Sequence, residues 1–308
     1  MSEEGRVTRE GHPKRGRRRA GLSERGVERV LTVVALSAIG VLGLITVFIF
    51  IGGLPAIAKT GLWAFVSGHK WAPGRGVFGI FPMIMGSLWV TIGALAIGVP
   101  LSLACAIFLA EVAPPKTARV IKPAIELLAG IPSVIYGFMG LVILVPLIRT
   151  HLGGPGFSVL ASSVVLGIMI LPTVISISYD AMKAVPEAYR DGSLALGATK
   201  WQTIVMVLLP AARSGILAAI ILGMGRAIGE TMAVIMVAGN ATMVPGSLLD
   251  PVRTLTSNIA LEMGYAAGTH RAALFGTGVI LFVIIMLLSI LASFTTTARG
   301  KAKVNPKP

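Results

Sequence analysis

The sequence predicts an all-α polytopic membrane protein with six transmembrane helices, and three observations carry that prediction. Only 13% of the 308 residues are charged while 55% are apolar or aromatic, against roughly 25% charged residues in a soluble domain. Five stretches contain no Asp, Glu, Lys or Arg: residues 30–58, 76–110, 127–148, 150–179 and 272–298. A sixth, about 211–239, is as apolar but carries Arg226 and Glu230. Each suffices for the ~20 residues that cross a hydrocarbon layer of ~30 Å. Helices are the spanning form because backbone groups in lipid must be satisfied within the segment, and the ~10-residue alternation of a barrel is absent. This composition excludes a soluble domain and intrinsic disorder. The lone Cys105 excludes a disulfide scaffold.

Residues 1–29 read as a basic cytoplasmic tail with nine Lys and Arg, six residues of it forming the run Lys14-Arg15-Gly16-Arg17-Arg18-Arg19. The first span, about 30–54, exceeds the ~7–15 apolar residues of a signal peptide and reads as an uncleaved anchor. The segment 55–78 holds Trp63, Trp71, Pro73 and Gly74, aromatics and turn formers suited to the headgroup region. The second span is expected over 80–110. The third, over 121–148, contains Pro132, and the fourth, over 160–180, contains Pro172; a proline within a span implies a kink. Between them, Gly153-Gly154-Pro155-Gly156 makes a turn. An amphipathic loop over 181–210 leads to the fifth span at 211–239. The sixth covers 272–294 and is followed by a basic tail, 295–308.

Lys and Arg set the orientation. With the N-terminus inside, twenty fall in cytoplasmic segments and six outside, leaving Arg226 within a span. This positive-inside bias places both termini in the cytoplasm. The pI of about 10.6 therefore reflects topology and attraction to anionic lipid rather than nucleic-acid binding, since no folded basic module or aromatic platform accompanies the cluster.

Few polar residues interrupt the spans. An Arg at helix centre costs ~2.5–3.5 kcal/mol on insertion scales and faces a bundle interior or an aqueous path. Arg226 and Glu230 stand four apart, on one face of a regular helix. One reading is a packing ion pair aided by Gly225-x-x-x-Gly229. The other is an anion site in which Arg226 attracts an oxyanion, Glu230 holds the guanidinium when substrate is absent, and Thr231 adjoins them. Ser133 and Tyr136, beside Pro132, are further candidates for the path, although membrane hydroxyls commonly bond backbone. Glu126 reads as structural. His151 and His270 lack a second ligand at metal spacing, and no metal site is expected. Gly192 and Gly197 have the spacing that opens a phosphate-binding loop, but Ala198 stands where the motif requires Lys. ATP binding of that kind is not expected here. The loop itself suits either lipid or a soluble partner.

Three segments carry a family resemblance. Asp191-Gly192-Ser193, Gly197 and Val207-Leu208-Leu209-Pro210 match the spacing of the EAA-type loop of ABC-importer permeases, with Asp for Glu, Gly-Ser for Ala-Ala and Val for Ile. Glu126-Leu-Leu-Ala-Gly-Ile-Pro-Ser-Val-Ile-Tyr-Gly137 and Arg226-Ala-Ile-Gly-Glu-Thr-Met-Ala-Val234 resemble the hallmark segments of the phosphate-specific permeases, the PstC/PstA family, and lie closer to its PstC branch. The resemblance implies a type I ABC-importer permease for inorganic phosphate in the bacterial cytoplasmic membrane. Sulfate, molybdate or a phosphonate is the alternative cargo, and a mainly signalling subunit the alternative role. An ion-gradient transporter is disfavoured because the sequence displays no inverted repeat of broken helices. The implied partners are a PstA-like permease as heterodimer, two PstB-like ATPases carrying the ATP and Mg, and a PstS-like binding protein. The chain itself needs no cofactor. Asp191, Gly192, Ser193, Gly197, Leu209 and Pro210 are the implied ATPase-coupling residues.

Overall fold

A computed structural model describes the backbone of residues 20–297 and the side chains of residues 26–290. The basic run at 14–19 and the expected tail at 295–308 lie outside the described side chains. The chain divides into two compact units, residues 1–48 and 49–308. The described part of the first is helix, within α1 (Ala20–Thr60). Its apolar side chains, among them Val30, Leu36 and Leu42, are exposed along its length. A helix apolar on all sides is suited to lipid rather than to water.

From residue 49 the chain completes α1 and forms α2 (Leu62–Ser67) and an antiparallel hairpin. The hairpin comprises β1 (Trp71–Ala72) and β2 (Val77–Phe78), with Trp71 opposite Phe78. Next come α3 (Phe81–Ile107), α4 (Pro115–Ala129), α5 (Ser133–Met139), α6 (Val145–His151) and α7 (Val159–Lys183). The remainder is α8 (Glu187–Ala195), α9 (Lys200–Gln202), α10 (Leu209–Gly229), α11 (Met232–Val237), α12 (Leu255–Glu262) and α13 (Gly268–Thr297).

Among the described residues, six helices are long and apolar enough to cross a membrane: Gly26–Thr60, Phe81–Val112, Ser133–His151, Val159–Lys183, Lys200–Gly229 and Gly268–Ile290. The all-α, six-span expectation agrees with this, but two stretches differ from the sequence reading. Residues 121–148 are not one span. The helix stops at Ala129 and restarts at Ser133, so the charged α4 lies apart from the apolar segment after Pro132. Residues 200–210 are not loop either; they are the first turns of the fifth long helix. From sequence, Pro210 reads as the boundary between loop and helix.

The helix passes Pro210 by widening. Proline lacks an N–H, and its ring collides with the carbonyl four residues back. Three π turns, Phe108–Val112, Gly140–Leu144 and Thr203–Leu208, each end two residues before a proline, namely Pro114, Pro146 and Pro210. In each the residue just before the proline donates its N–H five residues back: Ala113 to Phe108, Val145 to Gly140 and Leu209 to Ile204. The extra residue in the turn moves the obstructing carbonyl aside. Pro100 and Pro172 lie inside α3 and α7 and do not follow this pattern.

The bundle is organised about α7, which has 61% of its apolar window buried, against 28% or less in the other five long helices. A Cβ on Gly93 would meet Ser163, and one on Gly98 would meet Gly167 and Ile170, so α3 runs parallel to α7. A Cβ on Gly223 would meet Val174, whereas Gly215 lies against Ala181, so α10 runs antiparallel. The sequence permits this closeness. Gly86, Val90, Ala94, Gly98, Ser102 and Ala106 recur every fourth residue on α3, and all are buried. Such rows of small residues let backbones approach where lipid supplies no hydrophobic drive. A side chain at Gly98 would start 2.7 Å from the Gly167 carbonyl oxygen and 2.8 Å from Ile170. Gly98→Leu is therefore expected to destabilise the bundle by about 1–3 kcal/mol, read as a lowered melting temperature in detergent. An unchanged melting temperature would mean that the two helices tolerate separation there.

A second core joins α2, the hairpin, α12 and α13 through Phe65, Trp71, Phe78, Ile80, Leu255 and Leu274.

Candidate functional site

Arg226 occupies the last turn of α10, where a cation is favoured by the helix dipole. The chain then leaves the helix: Glu230 has φ −68° and ψ 135°, and α11 begins two residues later. The regular face expected to unite Arg226 and Glu230 is therefore interrupted. The Glu230 carboxylate instead accepts the N–H of Ala233 at 3.1 Å, closing the start of α11. Its backbone carbonyl accepts the Thr256 hydroxyl at 2.8 Å. The Thr231 hydroxyl turns back to the Gly229 carbonyl at 3.3 Å. The half-buried Arg226 guanidinium has no hydrogen-bond or ion-pair partner among the described residues. Gly225 and Gly229 have open space where a Cβ would stand. The small-residue helix contact offered as the alternative is thus not made within the described residues.

A second break faces this one. Between α4 and α5 the chain passes through Gly130, Ile131 and Pro132, and the Tyr136 hydroxyl donates to the Leu128 carbonyl at 2.8 Å, tying the two helices across the gap. Tyr136 also packs against the cluster that holds Ala227 and Val234, and against the one that holds Ala233 and Val237. A Cβ on Gly137 would lie 2.7 Å from the Ala233 Cα, so only glycine lets α5 and α11 touch. The structure therefore brings Tyr136, on α5, against α11, the half-helix that Glu230 and Thr231 begin. Ser133 opens α5 and is half-buried. Among the described residues two helices are thus broken, at 130–132 and at 229–231, and the half-helices α5 and α11 that follow them pack together. Short apolar runs punctuated by Gly and Pro were the available signal.

The sequence reading passed over a buried polar cluster toward the other end of the α12–α13 region. Glu262, 8% exposed, accepts from Arg253 at 2.6 Å through Oε1, and through Oε2 it meets Trp71 Nε1 and His270 Nε2, both at 2.8 Å. Arg253 also donates to the Asn258 side chain at 3.1 Å and to the Asn240 carbonyl at 2.9 Å. Asn240 itself holds φ +56°. His270, dismissed for want of a metal partner, is a hydrogen-bonding partner of a carboxylate. No sequence spacing links residues 71, 253, 262 and 270, so only the fold could reveal the group.

At the other end lies α8, carrying the expected coupling residues. Asp191 and Gly192 are exposed on it, and the Ser193 hydroxyl is 3.0 Å from that of Thr203. Gly197, at φ +87°, terminates the helix in the left-handed region. Thr199 and Gln202 then form a capping box that starts α9. Leu209 packs against the cluster of Met182, Ile204 and Leu208, while Pro210 is exposed inside the helix. The residue that fastens α8 was missed. Arg190 donates to both oxygens of Glu111, from Nε at 3.0 Å and from a terminal nitrogen at 2.5 Å. This bond pushes the guanidinium further above its already high ordinary pKa, so Arg190 stays charged. Nearby, Lys122 donates to Asp180 at 2.6 Å, which raises its pKa, and lies 3.8 Å from Glu126.

Comparison with known proteins follows the same lines. The family model for the binding-protein-dependent transport system inner membrane component matches residues 98–298. A probable ABC transporter permease protein, YqgH of Bacillus subtilis, is 43% identical over 277 residues, covering 88% of this chain and 90% of the relative. The phosphate transport system permease protein PstC of Haemophilus influenzae is 35% identical over 297 residues, covering 90% and 94%. Among solved structures, a bacterial alginate ABC transporter in complex with its alginate-bound periplasmic protein aligns with TM-score 0.64 at 14% identity, over 90% of this chain and 96% of that one. The MetNI methionine ABC transporter in an inward-facing conformation aligns with TM-score 0.56 at 19% identity, over 74% and 99%. These two share the fold. With two thirds of its length under one family model and full-length relatives above 30% identity, the chain belongs to the inner-membrane permease components of binding-protein-dependent ABC transport systems.

Proposed function

We propose that this chain is the permease subunit of an ABC importer carrying inorganic phosphate inward across the cytoplasmic membrane. A PstA-like permease stands beside it, two PstB-like ATPases with ATP and Mg bind its inner face, and a PstS-like protein delivers phosphate from outside. The observation that carries the reading is Arg226, a half-buried cation without a partner among the described residues, next to two helix breaks whose half-helices α5 and α11 pack on each other. The relatives called PstC supply the anion.

A planar guanidinium presents paired donors to a tetrahedral oxyanion. Glu230 does not cancel that charge by direct pairing, because its carboxylate closes the start of α11. Thr231, Ser133 and Tyr136 supply neutral hydroxyls along the same path. The breaks at 130–132 and 229–231 are joints at which α5 and α11 can tilt as a pair while α3, α7 and α10 keep their close contacts. Closure of the ATPases moves α8, and the tilt exposes Arg226 to one side and then to the other. Both termini lie inside in this arrangement, and the chain itself hydrolyses nothing.

The test is uptake of labelled phosphate by the complete complex in proteoliposomes supplied with ATP and the binding protein. ATP-dependent uptake that a tenfold excess of sulfate, molybdate or a phosphonate leaves unchanged is expected. Displacement of phosphate by one of those anions would reassign the cargo, and uptake without ATP would discard the importer.

A further inference from the structure

α8 has a construction that its exposed residues do not account for. None of its nine residues is buried. Leu194 is 50% exposed, Tyr189 54%, and Leu196, just past its end, 91%. An amphipathic helix normally holds its place by burying an apolar face. This one turns its apolar side chains away from the bundle and is held by polar attachments. One is the hydroxyl contact between Ser193 and Thr203 at 3.0 Å. The other is the fork of Arg190 on both oxygens of Glu111, whose side chain is 7% exposed. The same guanidinium reaches the Val185 and Met182 carbonyls at 3.4 Å, at the end of α7.

We propose that the Glu111–Arg190 pair is the strut that makes α3 follow α8, keeping it in step with α7 during transport. α7 is joined to α8 covalently, through Ala184, the buried Val185 and Pro186. α3 has no such connection to α8; Glu111 provides one. It sits in the π turn that Pro114 imposes at the end of that helix. A single hydroxyl bond transmits little directional force, whereas a bidentate guanidinium–carboxylate pair fixes both separation and orientation. Through the small-residue row, α3 then carries the displacement along α7 as far as Gly86, which packs on Val252 and Arg253 beyond the helix breaks. Without the strut, α8 would drag α7 while α3 lagged, and the close contact at Gly98 would resist the motion.

This rests on the reading that α8 seats on the ATPase, and the experiment separates the two ideas. In the complete complex, the phosphate moved per ATP hydrolysed is compared for wild type, Arg190→Lys, which keeps the charge and loses the fork, and Glu111→Gln/Arg190→Gln, which leaves no lone buried charge. Both variants are expected to retain the ATPase on purification and to hydrolyse ATP within about twofold of wild type, while phosphate moved per ATP falls about tenfold. An unchanged ratio in both variants overturns the strut. Loss of the ATPase from both also overturns it, because the pair would then merely build the docking surface. Leu196→Asp tests the underlying reading alone: it should release the ATPase, and retention would refute α8 as its seat whatever the strut variants do.

Discussion

Arg226→Ala is expected to reduce phosphate uptake by about 10- to 100-fold while leaving the melting temperature of the complex unchanged. The separation of the two effects follows from the geometry. A hydrogen bond to a charged group is worth about 1.5–3 kcal/mol, so losing a net of one such bond to the oxyanion costs about one to two decades in transport. Stability should not fall, because the guanidinium has no partner among the described residues and its removal breaks nothing. Arg226→Lys keeps a point charge without the paired donors and should lie between. Uptake at the wild-type rate by Arg226→Ala, measured with labelled phosphate at equal amounts of complex, would remove Arg226 from the path.

Glu230 completes the argument, since its two readings predict different variants. If it served Arg226 as a counter-ion, Glu230→Gln would be as harmful as losing the arginine's charge. As the acceptor for the Ala233 N–H at 3.1 Å, it can be replaced by glutamine, whose amide oxygen still accepts. Glu230→Gln is therefore expected to retain most uptake. Glu230→Ala, which leaves that N–H without its acceptor, should lose the ~0.5–2 kcal/mol of a helix cap.

How much of this was legible in the sequence depends on the range of the interaction. Charge-free runs are local quantities, and together with the equally apolar stretch around Arg226 they disclosed six helices. The hallmark segments were visible because Gly130, Pro132 and Gly229 are punctuation that needs no partner. What that punctuation does was not visible: an i, i+4 rule applied to Arg226 and Glu230 assumes a helix that ends at Gly229. Pro210 shows the converse error. It reads as a boundary, yet a π turn over Thr203–Leu208 carries the helix past it. Arg190 and Glu111, 79 residues apart, lay beyond any local pattern, since a loop arginine and a carboxylate at the edge of a span each look like ordinary membrane-boundary charges.

The largest effect on stability is expected at Glu262. Its carboxylate is 8% exposed and serves three donors at once, Arg253, Trp71 and His270. Glu262→Ala would strand the Arg253 cation, itself only 17% exposed, together with the Trp71 N–H. Removing one partner of a buried pair typically costs about 3–5 kcal/mol, because the remaining charge is left uncompensated. The loss would spread through neighbouring bonds. Residues 252–256 run beside α11, with the Val252 N–H on the Ala238 carbonyl at 2.9 Å and the Thr256 hydroxyl on that of Glu230 at 2.8 Å. Loosening Arg253 thus frees the segment that holds the second break in place. A lowered melting temperature is expected for Glu262→Ala, with a smaller decrease for Glu262→Gln, which keeps one acceptor oxygen. The companion variant Arg253→Met/Glu262→Met removes both charges and should recover much of the difference, as apolar replacement of a buried pair does elsewhere. If the double variant melts no higher than Glu262→Ala, the cost does not come from a stranded charge, and the cluster would have to act through its shape or through the histidine instead.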